Sequence, residues 1–267
     1  QPNELLDPTV VWIPKTFTFA NLQSVFNILN YPSSLLRTTM LALFCSVLQV
    51  FTCSLTGYGF ARFKFRFRSI LFFAALFTLI VPPQAIMMPL YINFVNLTEF
   101  TKRFTSEGIK IIDTIFPMAF SAFFGLGIRS GLFIYIFRQY YKNMQVELED
   151  AAYIDGCDPI KAYWKIMVVN TGPVLLVSFL FSLVWYWNDY FYVSLYFTNA
   201  RPLAVLVANF ASVLNTSRLP DGSPYTISMI SVYMQVASLM FISPVLLMYV
   251  FLQKYFTQSI VRAGIVG

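Results

Sequence analysis

Hydrophobic and polar positions along this chain fall into long uncharged runs parted by short charged stretches. No charge stands between Arg37 and Arg62, and those 24 residues make about 36 Å of helix, enough to cross a bilayer. A second uncharged run, residues 69–98, is broken by Pro82, Pro83 and Pro89. It is too long for one straight crossing and predicts a span to about Val81, then a kinked or unwound portion. A third span is predicted over 111–137, a fourth over 166–197 and a fifth over 227–252, the last with Gln235 and Pro244 inside it. Residues 99–110 and 198–226 read as external loops. Residues 1–33, with Pro2, Pro8, Pro14 and Pro32, read as an extracytoplasmic N-terminal segment.

Composition strengthens this reading. The chain is 58% hydrophobic, with mean hydropathy +0.66 and 29 Phe, against roughly 45–50% apolar in soluble domains. An all-α, polytopic membrane helix bundle follows. The net charge of +6 is no nucleic-acid signal, because the basic residues cluster at span ends. Arg62-Phe63-Lys64-Phe65-Arg66-Phe67-Arg68 alternates basic and aromatic residues, and between two spans it reads as a short positive-inside loop. That loop, Arg138, Lys142, Lys161 and Lys165, and the tail residues Lys254 and Arg262 then share the cytoplasmic side: ten of the 18 Lys and Arg. Five spans put the N-terminus outside, so a first span is expected to precede this chain. No basic start followed by an apolar core marks a signal peptide. With no His, a His-based triad or zinc site is excluded, and Cys45, Cys53 and Cys157 lack metal-ligand spacing. No phosphate-binding glycine loop occurs.

The most polar stretch, residues 147–173, holds five acids and two lysines between apolar runs. Glu147, Glu149 and Asp150 sit where a helix dipole favours negative charge, Gly156 follows, and Asp158-Pro159 allows a second helix start. The pattern reads helix, glycine joint, helix. The small Ala151 and Ala152 beside Tyr153 and Ile154 suit either docking into another protein's groove or an ordinary interspan loop.

Two intramembrane groups also stand out. Arg129 lies among Gly125, Gly127 and Gly131. It is either a structural charge with a partner or a cavity-lining residue. Trp185-Tyr186-Trp187-Asn188-Asp189-Tyr190 mixes rings with amide and carboxylate groups. Such a set can hold a sugar or form an interfacial aromatic belt with an acid at its edge. Arg129, Trp187, Asn188, Asp189 and Gln235 are the candidate lining of a translocation cavity.

The polar stretch resembles the signature loop of ATP-binding-cassette (ABC) importer permeases, Glu-Ala-Ala, three residues, then Gly. Asp150 stands at the Glu position, and Ala151, Ala152, Gly156 and Ile166 match. Glu149-Asp150-Ala151-Ala152-Tyr153-Ile154-Asp155-Gly156 is similar to the form written by the carbohydrate-importer, maltose-type branch. Trp187-Asn188-Asp189 and the C-terminal F-L-Q-K-Y-F and G-I-V-G extend the likeness from about residue 33 to the end. Val169 stands where the family usually has Pro, with Pro173 a turn later, and Gln145 replaces a Pro that often precedes the loop. The start of the following span is therefore expected to bend differently.

The resemblance implies an ABC type-1 importer transmembrane domain over 34–253, a cytoplasmic coupling loop over about 142–165 and a cytoplasmic tail over 254–267. It implies that Glu149, Asp150, Ala151, Ala152, Asp155 and Gly156 couple to an ATPase, and that the tail's Gly264 to Gly267 reach it too. The implied partners are a second permease, two ATPase subunits, an extracytoplasmic solute-binding protein and the lipid bilayer, with no nucleic acid. ATP and Mg would sit on the ATPase subunits, so this chain would bind no cofactor or metal and be no enzyme. The implied place is the plasma membrane of a bacterium or archaeon, and the implied cargo a sugar or oligosaccharide. The rivals are the same machine carrying another solute such as a glycerol phosphate, an ion-coupled secondary transporter using Arg129 and Asp189, and a membrane-embedded enzyme or structural subunit.

Overall fold

The computed structural model describes residues 18–104, 108–219 and 222–264. Residues 1–17 of the expected N-terminal segment and 265–267 of the expected tail lie outside them. In chain order the helices are α1 (Ala20–Ile28), α2 (Tyr31–Arg62), α3 (Arg68–Phe77), α4 (Pro83–Thr101), α5 (Phe116–Phe123), α6 (Ser130–Asn143), α7 (Glu147–Ile154) and α8 (Pro159–Ala162). A π-helical turn (Tyr163–Met167) leads to α9 (Val168–Asn170), α10 (Gly172–Asn188), α11 (Phe191–Tyr196), α12 (Leu203–Ala208), α13 (Phe210–Thr216) and α14 (Ile227–Gly264). Among the described residues no strand forms; one isolated bridge joins Arg218 and Pro224.

Among the described residues, two helices are long and apolar enough to cross a membrane alone, Tyr31–Arg62 and Ile227–Phe251. The other expected crossings are composite. Pro82 and Pro83 cut the second run into α3 and α4, so the helix predicted to reach Val81 stops at Phe77. The third run is not one helix either: α5 ends at Phe123 and α6 begins at Ser130. The fourth turns by 80° between Pro159–Asn170 and Gly172–Asn188. Pro173 explains the bend, since it has no N–H for the Val169 carbonyl and its ring crowds that oxygen. Thr171 donates its hydroxyl to the Met167 carbonyl, and Tyr140 donates to that of Asn170, so the bent backbone stays satisfied.

The chain divides into two compact units. The larger spans 41–187 and 252–264. Its core packs Val50, Cys53 and Tyr58 of α2 with Phe133, Ile134, Phe137 and Tyr141 of α6, and with Tyr163 and Met167. Gly57 sets the spacing of α2 from α6: a Cβ there would lie 2.6 Å from Cβ of Phe137. The smaller unit comprises residues 18–40 and 188–251. Val25 of α1 and Leu29 just after it meet Phe210 and Leu214 of α13 and Tyr233, Ala237 and Met240 of α14. The Leu203 N–H donates to the Thr38 hydroxyl, which itself donates to the Ser34 carbonyl. Outward faces are apolar, with Ile70, Phe73, Ile80, Leu247 and Phe251 exposed. Such surface suits lipid or another membrane helix, not water.

Candidate functional site

The polar loop folds as its local signals predict. Glu147, Glu149 and Asp150 occupy the first turn of α7. Gly156 takes φ +82°, a left-handed backbone that a side chain would strain. Asp158 then caps α8, accepting from the Lys161 N–H at 2.8 Å with its Nζ 3.3 Å away. The backbone N–H of Lys161, more than its charge, holds the Asp158 carboxyl below its ordinary pKa.

The acids of α7 divide sharply. Asp150 and Asp155 are exposed, as are Ala151 and Gly156, whereas Ala152 and Glu149 are buried. Glu149 is 3% exposed and paired inside its own chain. Its Oε1 accepts from the Tyr58 hydroxyl at 2.5 Å and from the Tyr153 hydroxyl at 2.7 Å. Its Oε2 lies 3.0 Å from Nε of Arg62, an ion pair without the alignment of a hydrogen bond. Arg62 also donates from Nη2 to the Met144 carbonyl at 2.9 Å. Desolvation, with the Glu149 carboxylate beside it, raises the Tyr153 phenol above its ordinary pKa. Beneath lies a hydroxyl chain: Tyr163 donates to Ser54, which pairs with Tyr141 at 2.7 Å. Glu149, one of the residues the resemblance assigns to ATPase coupling, thus has its basic partner inside this chain, Arg62. The face of the loop left open carries Ala151, Asp155 and the 86%-exposed Ile154.

The second candidate region is the gap between α5 and α6. One face of α2 serves its free carbonyls. Gln49, fully buried, donates Nε2 to the Ile128 carbonyl at 2.6 Å and to the Ser130 hydroxyl at 3.1 Å, and its Oε1 accepts from Ser182 at 2.9 Å. Thr52 donates to the Phe123 carbonyl and the Cys53 thiol to that of Ser130. Residues 49, 52 and 53 share a face by helical spacing, so one stripe satisfies the gap. Arg129 is not inside a helix. It precedes α6 with φ +55°, a conformation that costs a non-glycine residue about 1–3 kcal/mol. Its guanidinium lies exposed over the Trp185 ring, 5.2 Å from the centroid.

The other expected cavity residues fare differently. Trp187 is 4% exposed and packed away, while Trp185, two residues earlier and so on another face of α10, meets Arg129. Asn188 and Gln235 are exposed in the smaller unit. Asp189 interrupts the fourth span and caps α11, its Oδ2 accepting from the Val193 N–H at 3.1 Å. Sequence reasoning missed Tyr58 and Gln49, and took Trp185 only as part of the aromatic set, choosing Trp187 for the cavity. The available signals were a Tyr and Arg at i, i+4 near the end of α2, and one amide alone in an apolar run.

Comparison with known proteins identifies the family. Residues 53–262 match the family described as "Binding-protein-dependent transport system inner membrane component". The chain belongs to that family. It is a membrane permease of the ABC importer class, which sets aside the ion-coupled reading. It is 28% identical to the arabinooligosaccharides transport system permease protein AraQ of Bacillus subtilis, over 95% of this chain and 81% of AraQ. It is 26% identical to the polygalacturonan/rhamnogalacturonan transport system permease protein YtcP of the same organism, over 99% of this chain and 87% of YtcP. Its fold matches a chain in a crystal structure titled as a bacterial ABC transporter involved in the import of the acidic polysaccharide alginate, with TM-score 0.70 and 19% identity, over 93% of this permease and 84% of that chain.

Proposed function

We propose that this permease pairs with a second permease to form the membrane path for a sugar or oligosaccharide. A solute-binding protein delivers the cargo outside, and two ATPase subunits drive the cycle from the cytoplasm of a bacterium or archaeon. The loop α7–Gly156–α8 is the coupling element. The observation that carries this reading is the division of α7: Glu149 pins one face to α2, while Ala151, Ile154 and Asp155 offer a small apolar and acidic face to a partner. The saccharide class is supported by the cargoes for which AraQ and YtcP are named. ATP and Mg belong to the ATPase subunits, and this chain contributes no catalytic group. When the ATPase pair closes, the docked loop moves with it and carries the end of α2. Two states with different contacts at the loop are what such a switch requires.

The test is co-purification of the permease with its neighbours, then ATPase assays with and without loaded binding protein, beside Gly156→Pro. Proline cannot adopt φ +82°. The expected result is a heteromeric complex whose ATPase rises with loaded binding protein and loses that response in the variant. A lone permease, transporting without regard to ATP or to the loop, would sink the proposal.

A further inference from the structure

Arg129 sits deep in the expected membrane. Its neighbour Ile128 is held by Gln49, 13 residues before the basic end of α2 at Arg62. That is about 20 Å along the helix axis, within a hydrocarbon core of about 30 Å. A guanidinium at this depth needs an anion or water. Among the described residues it makes no hydrogen bond and no ion pair. The start of α6 directly after it adds the positive end of a helix dipole.

The setting is built to display the charge. Trp185 carries the guanidinium on its ring face, and Trp185 is itself clasped between buried Phe133 at 5.2 Å and Phe181 at 6.2 Å between centroids. Stacking leaves the planar edge of the guanidinium, with its forked N–H donors, unoccupied. The strained backbone of Arg129 is fixed from behind by Gln49 and Ser130. Strain that the surroundings over-determine, at an unpaired charge, is how a ligand clamp is made. A flat two-oxygen anion fits such a fork best.

Resting on the importer reading above, we infer that Arg129, on its Trp185 platform, binds the carboxylate of an acidic saccharide during passage, so that the cargo is a uronic-acid oligosaccharide rather than a neutral sugar.

The test uses the whole complex in lipid nanodiscs, with direct equilibrium binding of trigalacturonate, maltotriose and glycerol 3-phosphate. Arg129→Gln removes the charge. Arg129→Gly removes it while suiting the backbone, which guards against misfolding. Both are expected to weaken trigalacturonate about 10–100-fold more than they weaken maltotriose, the loss of a hydrogen-bonded charge pair. Arg129→Lys should recover only part of that loss. Equal weakening of both sugars would make Arg129 structural. Tighter binding of glycerol phosphate than of trigalacturonate would make the cargo a phosphate, and separation of the two permeases in the variants would make Arg129 an intersubunit pair; each overturns the assignment. Failure of the complex to form, or of its ATPase to respond to binding protein, strikes the importer reading instead.

Discussion

Two arginines of the same unit are treated in opposite ways. Arg62 is nearly buried, with Nε on the Glu149 carboxylate and Nη2 on the Met144 carbonyl. Arg129 is exposed and backbone-strained, and among the described residues its guanidinium rests on a ring alone. Both stand beside an interruption in the helices, so position does not separate them. The difference is that the described residues supply a carboxylate for one and none for the other. A membrane protein that buries a charge with its partner gains rigidity there. One that leaves a charge at such a place without a partner must pair it with water or with a group from outside the chain.

The contrast can be broken most forcefully at Glu149. Glu149→Ala strands Arg62 in a desolvated site and is expected to cost about 3–5 kcal/mol. A large drop in the melting temperature of the detergent-purified permease would show it; a shift of less than a degree or two would mean that the pair is not truly buried. At Arg129 the sign should reverse. Arg129→Gly relieves the left-handed backbone and should leave stability unchanged or raise it by about 1 kcal/mol. A melting temperature that falls as far as in Glu149→Ala would erase the distinction between the two arginines. Smallest is the cap at Asp158. Its folded pKa is lowered, so the stability it adds is present above the unfolded value and lost as pH falls through the folded one. Asp158→Asn should flatten that acid limb slightly in a pH series of melts. A series identical to wild type would remove the cap from the account.

The parts of this molecule legible in sequence are those whose cause is local. The order acids, Ala-Ala, Gly, Asp-Pro spells α7, its left-handed stop and the α8 cap within a dozen residues, and each signal acts on its neighbours. What the sequence concealed depends on distant residues. Glu149 and Asp150 are adjacent acids, and only the approach of α2, carrying Tyr58 and Arg62, decides which is buried. The gap before α6 was hidden because its glycines sit in an apolar run that reads as one helix. The stripe of Gln49, Thr52 and Cys53 that makes the gap tolerable lies some seventy residues earlier. Trp185 and Trp187 look interchangeable in a string, but helical rotation sends one to the guanidinium and the other into the core. Asp189 looked like an intramembrane charge in search of a function, and the short α11 that it caps gives it a local task.

Arg62 grips the chain on both sides of one short connection, at the Met144 carbonyl and at the Glu149 side chain. In mechanical terms it is a rivet through a joint. A hinge between α6 and α7 would let α7 swing while the membrane helices stayed still, and the rivet removes that slack. Load applied to the exposed face of α7 passes as shear into the last turn of α2 instead of being dissipated in residues 144–146. In the coupling role proposed above, stiffness at this point, more than strength of contact, would set how much of a displacement in the loop arrives in the bilayer.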